Sequence, residues 1–451
     1  YRCDNVTVRD LTLEKNVYGV YFHNSSRSRA ENNLVSGDVN GVRLEGSSDC
    51  VVRENHLTDN DAGVLLINSD GNVIAKNDAS VNREGINLSG SNNNTVEANV
   101  VRENELAGIA LASSQRNVVR ANAARDNGLG ISLNFSGRNL LKENEMSNNG
   151  YDFSAEGLNI SDFENDIEPS NLVGKKKVCY LVGASDEILD PSSGAGTVYC
   201  INCTNITMEG LNLEKNGNGI YLYGTVGSTI KGSEMTGNRV GIRLVNSSEN
   251  VISDNSATRN DFGALLDRSI HNEIRENDLL DNRFDGIILI DSDENEIQKN
   301  DASKNVGSGI VLDPSNKNNL SSNRLVENGD YGVNFDAGSV DNNLRGNGLE
   351  ASSPTSAKPI SRSGGGGGGA FYPVTAPTEG TSSPDYGSLV EDAKRTLTGG
   401  LIAFDPVREM LVGDTYRVEA RISMNETVEN LTEGFSEGEV PVVEEIPVST
   451  F

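Results

Sequence analysis

The spacing Cys200-x-x-Cys203, in "CINC", is the first place where residue type and position together point to chemistry. Such a pair can bind a soft metal or cycle between thiol and disulfide, but a closed structural metal site needs four ligands and no second pair follows. Cys3 occupies the place of Cys203 in an earlier copy of the same phrase, and Cys179 and Cys200 flank the stretch between them. A disulfide between Cys179 and Cys200 is therefore expected, and with it an oxidising compartment. Oxygen donors offer a different metal. "DSDENE" at 291–296 contributes Asp291, Asp293 and Glu294, and "NSDGN" at 68–72 is a smaller relative. Either could hold Ca2+ at a corner, although turns use the same residues and neither has the ligand spacing of a dedicated loop. No other cofactor is called for. Tyr221 and Tyr223, with Tyr21 at the matching place upstream, are the aromatic side chains expected to stack on a sugar ring. Sequons recur, and Asn24, Asn87, Asn246, Asn425 and Asn430 are the acceptors expected to face outward.

The elements that carry these residues follow from two nested repeats. "YRCDNVTVRDLTLEKN" from Tyr1 and "INCTNITMEGLNLEKN" from Ile201 are nearly the same statement, 200 residues apart. Within each half a tetrapeptide led by glycine returns every 22 or 23 residues: "GVYF" at Gly19, "GVRL" at Gly41, "GVLL" at Gly63, and later "GIYL" at Gly219, "GIRL" at Gly241 and "GIVL" at Gly309. An "N-x-[IV]-x-x-N" phrase accompanies it, as in "NVIAKN" to Asn77 and "NEIREN" to Asn277, and a further Asn follows at Asn82 and Asn282. A fixed short period of this kind marks a solenoid. Each repeat holds short alternating segments with β-branched residues inward, too short for helices. Asn and Gly at the corners tolerate left-handed backbone, and stacked asparagines can bond amide to amide along the axis. A leucine-rich repeat has a similar period but wants several Leu and one Asn per repeat. The pattern predicts an all-β, right-handed parallel β-helix of roughly thirteen coils, about 60 Å long at the inter-strand spacing.

The Gly/Asn coils, together with "GKKKVCYLVG" at 174–183 and "GAGTVYCINCTNITMEGLNLEKN" at 194–216, resemble archaeal cell-surface proteins of the NosD-like, carbohydrate-binding and sugar-hydrolase β-helix group over residues 1–350. The resemblance implies a surface protein. It also raises copper, which the residues oppose: His23, His56 and His271 are scattered and the five Met do not cluster.

Two tandem modules are expected, 1–170 and 171–350, the second opened by a cap at 171–200. Tyr1 aligns inside the repeated module and Phe451 ends an alternating stretch, so both ends read as cut. A Pro/Gly/Ser linker follows at 351–387, then 388–451 reads as a short helix and part of a small β-sandwich.

The net charge of −28 and pI near 4.5 exclude nucleic acid and anionic membrane surfaces as partners, and no apolar run is long enough to span a bilayer. The outward position of the glycine-led strand reads Tyr21, Arg43, Leu65, Asn87, Ala110, Ser132 in one half and Tyr221, Arg243, Leu265, Ile288, Val311, Asn334 in the other. Acid–base catalysis on such a face needs carboxylates or imidazoles within a few ångströms, and this row supplies no carboxylate cluster. Leu265, Ile288 and Val311 form an apolar stripe expected to meet another surface. The reading is a non-enzymatic extracellular structural rod, acidic and glycosylated, in a surface layer, sheath or self-assembling fibre, or an adhesin, with itself or other surface proteins and glycans as partners. The alternative is a polysaccharide-binding or polysaccharide-cleaving β-helix.

Overall fold

The computed structural model describes residues 2–336 and 338–348 and the backbone of 358–360. The segment 388–451, and with it Asn425 and Asn430, lies outside them. Within the stretch read as linker, Lys358–Ile360 pairs in parallel with Val333–Asp336.

Period-2 alternation and short segments produce a parallel β-helix. In the first module a typical coil supplies one six-residue strand, Asn40–Glu45, and two three-residue strands, Val51–Arg53 and His56–Thr58. Each pairs in parallel and in register with its counterpart one coil on, so one inward column reads Val20, Val42, Val64, Ile86, Ile109, Ile131, Phe153. The corresponding column of the second module reads Val198, Ile220, Ile242, Ala264, Ile287, Ile310, Val333. The solenoid has about 15 coils rather than thirteen; the stretch 171–200, read as a cap, supplies most of two long strands of the stack, Lys176–Val182 and Ala195–Ile201.

Polar rails run beside the apolar columns. Asn33, Asn55, Asn77, Asn99, Asn122, Asn144 and Asn171 form one, each Oδ1 accepting from the backbone N–H of the rung before it. Asn99 is typical: its Oδ1 takes Asn77 N at 2.9 Å and Asn77 Nδ2 at 3.0 Å, and its Nδ2 donates to Ile74 O at 2.9 Å and Asn122 Oδ1 at 3.0 Å. Ser25, Ser47, Ser69, Ser91, Ser114 and Ser136 make a hydroxyl rail of the same logic. A buried amide left unpaired costs a few kcal/mol, so the repeated Asn is the condition for bending the chain inside a dry core.

Glycines such as Gly71 (φ 70) and Gly90 (φ 57) do take left-handed corners, as expected, but most of these corners are held by other residues. The left-handed residue is the one before the rail asparagine, such as Glu54 (φ 57) before Asn55 or Lys76 (φ 55) before Asn77, and it is most often charged. The glycine of the tetrapeptide serves close approach instead: a Cβ on Gly41 would lie 2.7 Å from the carbonyl oxygen of Gly63.

The two modules meet through residues 151–201. The strand Tyr151–Glu156 ends the first module's seven-stranded sheet. An antiparallel turn between Leu172–Val173 and Lys176–Val182 then links the first module's third sheet to the long-strand sheet of the second. The first module's apolar core continues onto the outward side chains Tyr199, Tyr221, Tyr223 and Val245 of the second.

Candidate functional site

On Tyr18–His23 the pleat sends Val20 and Phe22 into the core and turns Tyr21 and His23 outward; on the next coil Val42 and Leu44 point in, and Arg43 and Glu45 point out. The register sets Tyr21 beside Arg43 and His23 beside Glu45. Tyr21 donates its hydroxyl proton to Glu45 Oε2 at 2.7 Å, and that hydroxyl also lies 3.1 Å from His23 Nδ1. Asn24 Nδ2 faces His23 Nε2 at 3.0 Å, so the tautomer with its proton on Nδ1 satisfies both neighbours. Arg43 donates through Nε (3.1 Å) and Nη2 (2.8 Å) to Glu45, and its guanidinium lies over the rings of Tyr18 (5.2 Å) and Tyr21 (5.6 Å). Tyr18 and Tyr21 are 4.8 Å apart between ring centroids, tilted by 45°. Partial burial pushes the Glu45 carboxyl up, but the bonds from Tyr21 and Arg43 outweigh it and hold it below its ordinary value. The result is a pinned guanidinium over two adjacent aromatic rings on a half-open face. It can hold an anionic group by charge-assisted hydrogen bonds.

The sister face is closed. Tyr221 is fully buried and Tyr223 nearly so, which removes both as sugar platforms. The end of the first module lies on them: Phe163 packs on Tyr221 (5.5 Å) and Tyr223 (4.7 Å), and Tyr223 donates its hydroxyl proton to Leu158 O at 2.9 Å. Glu156 meets Arg243 Nη1 at 2.6 Å and Arg239 Nη1 at 3.6 Å, with both partners of the closer pair buried. Tyr151 donates to Asp261 Oδ2 at 2.7 Å across the same seam. Phe153 O accepts from Gly217 N at 2.9 Å.

The remaining candidates fall as follows. Cys179 and Cys200 are free thiols on adjacent strands but out of step, Cys179 opposite Val198 and Cys200 opposite Leu181, so the expected disulfide does not form. Asp293 accepts from Asn316 N at 2.6 Å and Glu294 from His271 (2.7 Å) and Lys317 (3.0 Å); with Asp291 they do not converge, and no group of three or more His, Cys, Asp or Glu among the described residues is placed to hold a metal. Leu265, Ile288 and Val311 stack in register, but Ile288 is only 9% exposed and its neighbours are half-buried, so the stripe is narrower than an open apolar face. Asn24 and Asn246 are exposed at left-handed corners (φ 47 and 49), whereas Asn87 is half-buried with Nδ2 bound to Glu84 Oε2 at 2.7 Å. Reading a single outward row missed His23 and Glu45. Alternation would have found them, since the position two residues on faces the same way.

A model of the family described as "Periplasmic copper-binding protein (NosD)" matches residues 1–179 and 182–359. The chain belongs to the NosD family. No curated protein matches it. Among solved structures, this NosD-family chain is similar to the A-module of mannuronan C-5 epimerase AlgE6 of Azotobacter vinelandii, at 12% identity over 77% of this chain and 88% of that one, with a TM-score of 0.27. PfbA, a surface adhesin of Streptococcus pneumoniae, matches at 11% identity over 70% and 84%, with a TM-score of 0.24. The Dettilon tailspike protein matches at 12% identity over 76% and 61%, with a TM-score of 0.26. The family description raises copper, which needs converging soft donors. His56 is 3.2 Å from Asp78, His271 is held by Glu294 and His23 by Tyr21, while Met146, Met208 and Met235 lie in the apolar cores. The described residues do not fit a copper ion. No helix among them is long and apolar enough to cross a membrane.

Proposed function

We propose that this chain is a non-enzymatic structural protein of the extracytoplasmic space, a stiff acidic spacer in a surface layer, sheath or self-assembling fibre, or the stalk of an adhesin. The observation that carries the reading is the continuity of the rails and columns through each module, together with the buried Glu156–Arg243 pair that joins one module to the next. Stability in such a stack adds by coil interfaces, so lengthening it preserves stiffness. Exposed Asn24 and Asn246 are the acceptors proposed to carry glycans. Gold-labelled antibody on sections of the native envelope should mark a regular surface array; label dispersed through soluble material would overturn the proposal.

The half-open face at Tyr18, Tyr21, His23, Arg43 and Glu45 favours a second reading, a β-helix that binds polysaccharide. Glycan-array binding by the full chain tests it, and an array without signal would remove it.

A further inference from the structure

The first module carries a groove of about 620 Å3 along one of its edges, where the third strand of each coil turns into the six-residue strand of the next. One wall holds the left-handed corners Glu103 and Asp126 (φ 55 and 57), and the other holds Glu105, Gly128 and Gly150. All three carboxylates are exposed. Glu105 and Asp126 have no side-chain hydrogen bond or ion pair among the described residues, and Glu103 has only Arg102 at 3.7 Å. Glu103 and Asp126 stand on neighbouring coils, about 4.8 Å apart along the axis, where like charges repel. Arg83 is the one cation among the described residues that line the groove. The floor is bare backbone at Gly128, since a Cβ there would lie 2.4 Å from Glu105 O.

The same edge ends in the opposite charge. Met146 pairs with Val173, so the turn after Val173 takes the place, one coil on, of the left-handed corner at Asn148. That turn is a two-residue hairpin, Gly174 (φ 54) and Lys175 (φ 74), with both residues left-handed as such a tight connection requires. Lys175 and Lys177 are exposed, and neither ammonium has a partner among the described residues; Lys176 between them donates to Asn212 O at 2.8 Å. Lys175 thus stands three coils beyond Glu103 and Glu105, and the two coils between them carry Gly128 and Gly150.

That order is self-complementary. A two-fold axis across the stack between Gly128 and Gly150 sets the Lys175 turn of each copy against Glu103 and Glu105 of the other. Lysine and carboxylates then lie about 7 Å to either side of the axis, one and a half coils at the rise of about 4.8 Å. Glycine backbone occupies the centre, where the two copies come closest. We infer that this edge of the first module is a contact between two copies of this chain, paired antiparallel about that axis. The inference rests on the reading of the protein as a self-associating structural component and names its patch. The corresponding line of positions in the second module already receives a neighbour, since Asp261 accepts from Tyr151 at 2.7 Å and Arg239 lies 3.6 Å from Glu156. A polyamine or a basic peptide would match the carboxylates but leave the lysine turn unmatched, whereas a second copy matches both.

Copies that each carry a net charge of −28 repel overall, so the attraction has to be local. Charges at the edge of an interface set its register more than its strength, which makes reversing them more informative than removing them. The test is sedimentation velocity of the full chain over a range of concentrations, at about 0.15 M salt, where repulsion is screened beyond roughly 8 Å. The native protein should reach twice the monomer mass and stop there. Lys175→Glu should weaken the association about tenfold or more, and Glu103→Lys with Glu105→Lys should do the same. All three changes together should restore it to within about threefold of the native value, because each turn again meets the opposite charge. Neither misfolding nor a merely structural role for either patch produces such a rescue. Circular dichroism identifies any variant that fails to fold, and Lys175→Glu, at an exposed turn, keeps the test decisive if another does. A monomer at every concentration, or an association indifferent to these changes, overturns the inference and leaves the spacer reading, which is tested on the native envelope, standing.

Discussion

Asn99 illustrates what a single residue does in this molecule. Its side chain closes four hydrogen bonds across three coils, so Asn99→Ala leaves the backbone N–H of Asn77 buried and unpaired and takes one bond each from Asn77 Nδ2, Ile74 O and Asn122 Oδ1. At roughly 1–3 kcal/mol per orphaned group, the loss should reach about 3 kcal/mol, read as a lowered urea midpoint, while Asn24→Ala at an exposed corner should move it little. Asp285 gives the opposite lesson. Burial raises its carboxyl to about 6, the repulsion of Asp330 adding to the rise and the bond from Ser308 N opposing it. The folded protein thus holds this proton more tightly than the unfolded chain. Its contribution to stability is complete below the ordinary value of 3.8 and is lost as pH climbs through about 6. Asp285→Asn keeps an acceptor for Ser308 N and removes the loss. It should stabilise by on the order of 1–3 kcal/mol at pH 7 and hardly at all at pH 3, as urea unfolding at both values would show. The rail asparagines were legible in the sequence because their spacing is their function. The environment of Asp285 was not, because it depends on the coil that follows.

Among the elements, the strand Tyr151–Glu156 decides most. It completes one sheet by pairing with Leu129–Asn134 and also lies on the outward face of the next module, where Asp152 N bonds Lys215 O at 2.6 Å and Gly217 N bonds Phe153 O at 2.9 Å. Gly217→Val should push this strand away, since the new Cβ would meet Ser154. The expected outcome is faster amide exchange at Asp152 and Gly217 with unchanged protection at Ile86 and Ile109, deep in the first module. Alternation showed which side chains of each strand point outward, and therefore placed Tyr221 and Tyr223 correctly on the outer side. It could not show that this outer side is an interior, because the covering residues, Leu158 and Phe163, come from a neighbouring module whose position follows from the turn at 172–177. The same blindness explains the disulfide. Cys179 and Cys200 belong to adjacent strands, but the strand register sets Cys179 opposite Val198 and Cys200 opposite Leu181.

For the molecule as a whole, the seam between modules makes two stacks unfold together. Nearest-neighbour interfaces carry cooperativity in solenoids, and here one interface is turned sideways and locked by Glu156 with Arg243 and Arg239. Glu156→Lys would bury a third positive charge beside two arginines. Removing one partner of a buried pair costs roughly 3–5 kcal/mol, and adding a like charge costs at least that. The expected result is a single unfolding transition for the native protein and two separated transitions for the variant, resolved by calorimetry.

The sequence by itself determined the coil: its length, its inward columns and its rails, because each of these is satisfied by an equivalent residue 22 or 23 positions away. Any chain with that repeat has the same local solution in every coil. Only the tertiary structure decided whether the outward face of the second module is buried or open. That choice rests on contacts between residues 65, 87 and 110 positions apart, created where the repeat breaks and the chain changes direction. A periodic pattern encodes neighbours along the axis, and it is silent about what the side of one stack will meet.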